Sequence, residues 1–251
     1  MSKGAGEKER KLKPSELVDS ALAGVLKMRM DISAANGEGG TLERFKKNYK
    51  IVDYYEGGFS VEMGFGLHIG WAIEGAIGSN YKIDASYLSP NVNMAARLEA
   101  ATHQFGTPLL LSGPFVNELT REARDMCRKI DVVTVKGSQI PLELWTCDIT
   151  DVNLDSSSAI TPVMRDGTQQ PLDMKKVKAA VQKSENLEFS KVFERGVEMY
   201  IGGDWAGSKV NIEKALALRE GRDGPCESLL GVLGDGVTPE GWRGFRELTS
   251  K

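Results

Sequence analysis

The sequence predicts an α+β fold, and three observations lead to that prediction. Apolar residues alternate with small or polar ones from Phe65 to Ile77, as in a β-strand with two unlike faces. Residues 131–148 form two apolar runs around a turn-forming stretch at 136–139, as in a β-hairpin. Between them, residues 90–105 carry apolar side chains at helical spacing. Helices on one face of a mainly antiparallel sheet would account for this order.

The N-terminal region divides into a polar start and a helix. Residues 1–14 are rich in lysine, glutamate and glycine, and we expect them to be disordered. A helix is predicted from Ser15 to Ala34. Its apolar face is expected to consist of Leu17, Ala21, Val25 and Met28.

The alternating strand has one apolar face and one face of small residues. The apolar face includes Trp71, Ile73 and Ile77 and is expected to pack on helices. The other face holds several glycines, which cost stability in a strand and mark close approach of another group. That group is either a packed helix or subunit, or a ligand.

A second strand and a helix follow. The segment 81–88 has the pattern of a strand, and the turn before it lies at Ser79 and Asn80. Ser89 is placed to cap a helix whose first residue is Pro90. The helix is expected to run to Phe105, where Gly106 and Pro108 end it.

The remaining sequence predicts short strands and helices. A buried strand is expected at 108–112, a short helix at 113–123, and the hairpin at 131–148. Residues 150–171 are rich in Ser, Thr, Asp and Pro and indicate a linker. Two amphipathic runs, 187–201 and 205–219, predict a C-terminal helical hairpin that packs on the preceding domain rather than forming a peptide-binding array.

Composition excludes several classes of function. A net charge of −3 gives no reason to expect binding to nucleic acid or to an anionic membrane surface. The three cysteines are scattered, which favours a reducing compartment. No stretch is long and apolar enough to cross a membrane. We therefore expect a cytoplasmic chain, either soluble in itself or the cytosolic part of a membrane-anchored parent.

A family resemblance appears at residues 86–99, SYLSPNVNMAARLE. This segment resembles the YDxxGxxVNxAxRxE stretch of class III adenylyl and guanylyl cyclases. The preceding GLHIGWAIEGAIGS resembles that family's GIHxGxxxxGxIG, and a VKG hairpin follows in the family's order. The resemblance covers roughly residues 60–150 and implies a partial, ferredoxin-like cyclase domain. The implied division is a disordered start (1–14), a partial cyclase domain (15–149), a linker (150–171) and a helical tail (172–251).

The resemblance also implies roles for individual residues. Asn93 and Arg97 lie four positions apart and so project from one helix face. In the family, the asparagine positions the ribose and the arginine stabilises charge on the α-phosphate during 3′-oxygen attack, for which a planar, permanently charged group is suited. Lys136 matches a lysine that contacts the terminal phosphates, although Ser138 stands where the family has a second basic residue.

The base-selecting position is altered, and the metal-binding half of the family site is missing. Ser86 stands where adenylyl cyclases often carry Asp and guanylyl cyclases Cys, and Asp84 would share its strand face. The choice between ATP and GTP therefore stays open. The family's two aspartates bind Mg²⁺ or Mn²⁺, but neither Asp31 nor Asp53 lies in a matching motif, and we assign no metal ligand to this chain.

Two functions follow from this pattern. The first is a nucleotide cyclase fragment or subunit that is inactive alone and needs a second cyclase domain, in a homo- or heterodimer, to supply the metal aspartates. The second is a non-catalytic cyclase homologue that acts as a regulatory or interaction protein. The Asn93, Arg97 and Lys136 set favours the first, and the missing carboxylates favour the second.

Overall fold

The computed structural model describes residues 12–54, 58–79, 81–135, 140–148, 160, 164–165, 168–169, 172–182 and 187–248. The predicted disordered start lies almost wholly outside these residues, as does most of the predicted linker. The helices are α1 Pro14–Asn36, α2 Glu43–Lys46, α3 Tyr49–Tyr54, α4 Pro90–Ala101, α5 Gly113–Glu118, α6 Arg121–Arg124, α7 Met174–Val181, α8 Leu187–Gly202, α9 Trp205–Leu218 and α10 Gly224–Leu233. The strands are β1 Phe65–Leu67, β2 Ile73–Ser79, β3 Lys82–Leu88, β4 Leu109–Ser112, β5 Cys127–Val135, β6 Leu142–Cys147, β7 Met164–Arg165, β8 Thr168–Gln169 and β9 Arg246–Leu248.

The chain divides into two compact units that do not follow chain order. The first unit takes in Met1–Val61, Glu118–Arg124 and Ile149–Lys183. The second takes in Glu62–Asn117, Asp125–Asp148 and Ser184–Lys251. The segment that resembles cyclases and the C-terminal helices α8–α10 therefore belong mainly to the second unit.

In the first unit, α1 is the longest helix among the described residues. The helix predicted from Ser15 to Ala34 is confirmed, but its predicted apolar face is wrong, because Leu17, Ala21 and Met28 are exposed. The buried stripe is the neighbouring one, since apolar residues also recur there at helical spacing. It consists of Val18, Leu22, Val25, Leu26 and Met30.

A buried carboxylate of α1 fixes a turn within the same unit. Asp19 accepts hydrogen bonds from the backbone N–H and the hydroxyl of Thr120, at 3.0 and 2.6 Å. Burial raises the pKa of Asp19 despite these bonds. The helix α7 contacts both α1 and α6, so these three helices pack together.

The second unit is built on a five-stranded sheet in the order β1-β4-β6-β5-β9. The pairs β4–β6 and β5–β6 are antiparallel, which confirms the hairpin predicted at 131–148. The pairs β1–β4 and β5–β9 are parallel. The sheet is therefore mixed, not mainly antiparallel, because α4 lies in the crossover from β1 to β4 and β9 comes from the C-terminal end of the chain.

The single strand predicted from Phe65 to Ile77 is wrong. The chain forms β1, leaves the sheet after Leu67, and then forms β2, which pairs with β3 alone in an antiparallel hairpin. Side chains expected to pack on helices are instead exposed, among them Trp71 at 64% and Ile73 at 61%. Alternation identifies a strand with unlike faces, but it does not say which element covers the apolar one.

The C-terminal helices pack on the sheet of the same unit. The helix α8 contacts β5 and α9, and α10 contacts α9. Gly196 lets α8 and α9 approach closely, since a Cβ there would lie 2.6 Å from Ile212 Cδ1. Phe189, Phe193 and Tyr200 of α8 are fully buried with Leu144 of the sheet. The strand β9 was not predicted from the sequence.

A largely buried cluster of four charged side chains joins β5, the end of β6 and the C-terminal helices. Arg128 donates to Asp148 at 2.9 Å and to Asp223 at 2.6 Å. Arg219 contacts the same two carboxylates, at 2.8 and 3.1 Å. Burial opposes ionisation of Asp148, but the two arginines outweigh it and hold its pKa below the ordinary value. The Arg128 guanidinium also lies 4.3 Å from the ring centroid of Phe193.

Candidate functional site

The helix α4 begins as its sequence predicts. Ser89 is extended, and its hydroxyl oxygen accepts a hydrogen bond from the backbone N–H of Asn91 at 3.0 Å. Pro90 occupies the first helical position, where its missing N–H costs nothing. The helix ends at Ala101, one turn before the predicted Phe105. A turn follows and closes at Gly106, whose φ of +57° suits glycine.

Asn93 and Arg97 lie on an exposed face of α4. They are four residues apart within one regular helix, so their side chains project from the same face. Both are exposed, whereas Leu98 and Ala101 are buried on the core side. The helix thus exposes an amide and a guanidinium on one face, while its opposite face packs in the core.

A glycine in β1 sets how closely α4 approaches the sheet. A Cβ on Gly66 would lie 2.4 Å from both the carbonyl oxygen of Ala95 and the backbone nitrogen of Glu99. Because these are backbone atoms of α4, any side chain here would push the helix away. Of the two readings of the small-residue face, packing against a helix is correct at Gly66. Gly75, which was not part of that predicted face, has nothing within 4 Å of its Cβ position.

Ser86 and Asp84 lie on the same face of β3. Ser86 is half-buried opposite Gly75 of β2, and Asp84 is opposite Ile77. Asp84 is exposed and forms an ion pair with Lys82 at 3.0 Å. One residue, Ser89, separates the end of β3 from the start of α4, so the two predicted pairs of site residues lie on consecutive elements.

Lys136 lies outside the described residues. The strands on either side of it, β5 and β6, are described and paired, and β5 ends at Val135.

A series of hydrogen bonds next to the start of α4 was not predicted from the sequence. His68 lies between Ser112 and Asn91, with Nδ1 2.8 Å from the serine Oγ and Nε2 3.1 Å from the asparagine Oδ1. Asn91 Nδ2 donates to the Trp71 carbonyl at 2.9 Å, and the Ser89 hydroxyl donates to the same carbonyl at 2.6 Å.

A second glycine makes room for these hydrogen bonds. A Cβ on Gly70 would lie 2.2 Å from Asn91 Cγ, so the asparagine amide occupies the place of a side chain. The glycines in GLHIG therefore have physical reasons in this structure. Gly66 admits the helix backbone, and Gly70 admits the amide that His68 contacts.

No family model matches the chain. Two curated proteins are similar to part of it. An adenylate cyclase of Anabaena cylindrica is 30% identical over 86 residues, and adenylate cyclase 1 of Rhizobium meliloti (strain 1021) is 30% identical over 83 residues. One segment of this chain is therefore similar in sequence to parts of two adenylate cyclases.

The matching segment is a small part of those relatives. The match takes in 34% of this chain and 17% of the Anabaena protein, and 32% of this chain and 12% of the Rhizobium protein. A solved structure titled as a bacterial light-regulated adenylyl cyclase covers 60% of this chain and 50% of that chain, at 20% identity and a TM-score of 0.30.

No group of three or more His, Cys, Asp or Glu side chains within the described ranges is arranged to hold a metal ion. Asp31, which the sequence singled out, lies on α1 and is paired with Lys27 at 2.7 Å.

None of the helices in the described part of the chain is both long and apolar enough to cross a bilayer.

Proposed function

We propose that this chain supplies the substrate-handling half of a class III nucleotide cyclase site. The observation that carries the proposal is the exposed Asn93–Arg97 face of a capped helix whose other face is buried. A rigid helix of this kind holds an amide and a guanidinium in a fixed relation, as the positioning of a ribose and a phosphate requires. The proposed fold of the whole site is the ferredoxin-like cyclase domain, of which this chain forms a part.

In this proposal Asn93 positions the ribose and Arg97 contacts the α-phosphate. The ribose 3′-oxygen, having lost its proton to water, forms a bond to the α-phosphorus while the bond to pyrophosphate breaks. Arg97 stabilises the charge that develops on the phosphate oxygens, and Lys136 contacts the terminal phosphates. Ser86 and Asp84 face the purine edge. ATP is the proposed substrate, because the relatives carry the name adenylate cyclase.

The proposal requires a partner. Mg²⁺ or Mn²⁺ would be held by a second cyclase domain that carries the aspartates, since the described residues offer no such ligand group. A surface for that domain exists beside α4, because the β2–β3 hairpin exposes large apolar side chains on both faces. These are Ile73, Ile77, Ile83, Tyr87 and Leu88, each at least half exposed.

Complementation tests the proposal directly. The full chain is mixed with a cyclase domain that keeps its metal aspartates but has its own catalytic arginine replaced by alanine. Formation of cyclic AMP and cyclic GMP is measured with Mn²⁺ and with Mg²⁺. We expect cyclic AMP from the mixture and from neither protein alone. A pair of complementary mutants of a known cyclase serves as the positive control.

Two variants show which residue is responsible. Arg97→Ala is expected to lower the turnover of the mixture about 100-fold, as loss of one donor to a developing negative charge does. Arg195→Ala removes the same charge from an exposed position on α8 and is expected to leave turnover unchanged. If the mixture is inactive while the positive control is active, the enzymatic proposal is wrong.

A second candidate function is supported by the same hairpin. A non-catalytic homologue would use the exposed apolar surface to bind and regulate a cyclase domain without contributing to chemistry. Sedimentation of the mixture separates the two candidates. Complex formation without Arg97-dependent turnover would favour the regulatory role.

A further inference from the structure

His68 connects the starts of two helices. Ser112, which contacts His68 Nδ1, directly precedes α5, and its hydroxyl oxygen accepts a hydrogen bond from the Phe115 backbone N–H at 3.3 Å. Asn91, which contacts His68 Nε2, is the second residue of α4. The imidazole is half-buried, whereas Ser112 is fully buried. A single side chain thus joins the buried end of β4 to the first turn of the helix that carries Asn93 and Arg97.

The hydrogen-bonding partners assign the imidazole protons. The Trp71 carbonyl can only accept, so the group that Asn91 directs at it, at 2.9 Å, is the amide NH₂. The carbonyl oxygen of Asn91 therefore faces His68, and Nε2 is the donor in that contact. In the neutral imidazole, Nδ1 is then the acceptor for the Ser112 hydroxyl.

The contact leaves the start of α4 little freedom to move. The Asn91 amide lies in the space that a side chain at residue 70 would fill, and the Asn91 backbone N–H is held by Ser89. Ser89 and Asn91 both donate to the same Trp71 carbonyl. His68 adds the bond that ties this cap to the sheet, through Ser112. Rotation of the first turn of α4 would break these bonds together.

We propose that His68 is a positioning residue for α4, acting through Asn91 to hold Asn93 and Arg97 in the orientation that the reaction requires. Only the kinetic part of this proposal rests on the cyclase function proposed above. Its structural part, the Nε2–H bond to Asn91, applies to the chain on its own.

Three substitutions separate positioning from simple packing. His68→Gln places an amide nitrogen near the native Nε2 and keeps a donor for Asn91. His68→Asn is too short to reach Asn91 but keeps a polar atom near the native Nδ1, for Ser112. His68→Ala removes both contacts. His103→Ala, at the other histidine of the chain, changes an exposed residue beyond the end of α4 and is the matched control.

The kinetic measurement uses the full chain mixed with the complementing cyclase domain. We expect His68→Ala and His68→Asn to lower kcat by about 10- to 100-fold with KM changed less than about threefold, because a displaced helix loses interactions that matter in the transition state. His68→Gln is expected to stay within about threefold of the wild-type chain. Equal effects of the Gln and Asn variants would overturn the proposal, since packing alone would then explain them.

The second measurement needs no partner and no activity. Long-range ¹H–¹⁵N spectra of the chain should show His68 as the Nε2–H form, and amide exchange should report on Met94 and Ala95, early in α4. We expect exchange there to be about 10-fold faster in His68→Ala and His68→Asn, and unchanged in His68→Gln and His103→Ala. An Nδ1–H tautomer, or exchange unaffected by His68→Ala, would overturn the proposal. If the wild-type mixture is inactive, the cyclase function fails and these spectra alone decide the role of His68.

Discussion

The β2–β3 hairpin and the C-terminal helices are equally apolar in sequence but differ in what covers them. Ile83 of the hairpin is 71% exposed and Tyr87 is 60% exposed, whereas Phe193 of α8 is 1% exposed and Tyr200 is fully buried. Both regions belong to the second compact unit. Periodicity therefore indicates which side chains favour burial. It does not tell whether the covering surface lies in the same chain.

The two strands of the hairpin form backbone hydrogen bonds with each other, but their apolar side chains stay exposed. Its strands pair in unbroken register, from Ile73 opposite Leu88 to Ser79 opposite Lys82. A two-stranded hairpin is marginally stable by itself, so a further surface is needed to hold it. The C-terminal helices, by contrast, complete their packing within the chain. The hairpin is therefore the part of the chain for which we propose a partner surface.

The largest loss of stability is expected from a substitution in the buried C-terminal helices. Phe193→Ala should lower the free energy of unfolding of the second unit by about 4 kcal/mol, because it removes a fully buried ring and leaves a cavity. Urea unfolding followed by tryptophan fluorescence measures this. All four tryptophans, Trp71, Trp145, Trp205 and Trp242, belong to the second unit and so report on it.

The control for this prediction is a substitution in the hairpin. Ile83→Ala changes a mostly exposed side chain and should alter the free energy of unfolding by less than about 0.5 kcal/mol. It should instead weaken association with a complementing cyclase domain. An effect of Ile83→Ala on unfolding as large as that of Phe193→Ala would mean that the hairpin is already covered within the chain.

The next effect concerns the charged cluster that ties the C-terminal helices to the sheet. Asp148→Asn should cost about 3 kcal/mol near neutral pH, because two partly buried arginines then share one carboxylate. The folded-state pKa of Asp148 lies below its unfolded value, so its contribution is present above about pH 4 and is lost as the pH falls through the folded pKa. The difference between wild type and variant should therefore shrink as the pH is lowered towards about 3. Urea titrations at both pH values measure it, and a gap that widens in acid would contradict the assignment.

Local patterns predicted individual elements well and their partners poorly. The Ser89 cap, the helix that begins at Pro90 and the 131–148 hairpin follow from short-range residue chemistry, and the structure confirms them. The division of the 65–77 strand did not follow from its alternation, because the pairing of β1 with β4 depends on residues more than 40 positions away. The contact of His68 with Asn91 was also missed, because it joins residues 23 positions apart that no local pattern relates. The GLHIG glycines were the available signal, since each marks a close approach.

The smallest change in the free energy of unfolding is expected for substitutions of glycine. These test whether a glycine is required by its close contact with α4 or simply by its position in a strand. Gly66→Ala would bring a Cβ to 2.4 Å from two backbone atoms of α4, so the helix must move and the free energy of unfolding should fall by about 2 kcal/mol. Gly75→Ala, in the hairpin strand β2, meets nothing within 4 Å and should raise it by about 0.5 kcal/mol, because alanine restricts the unfolded chain. Tryptophan fluorescence during urea unfolding compares the pair. If both variants lost stability equally, a general cost of replacing strand glycines would explain the result. Opposite signs would show that α4 is held in place by its contact with Gly66, on the side of the helix away from Asn93 and Arg97.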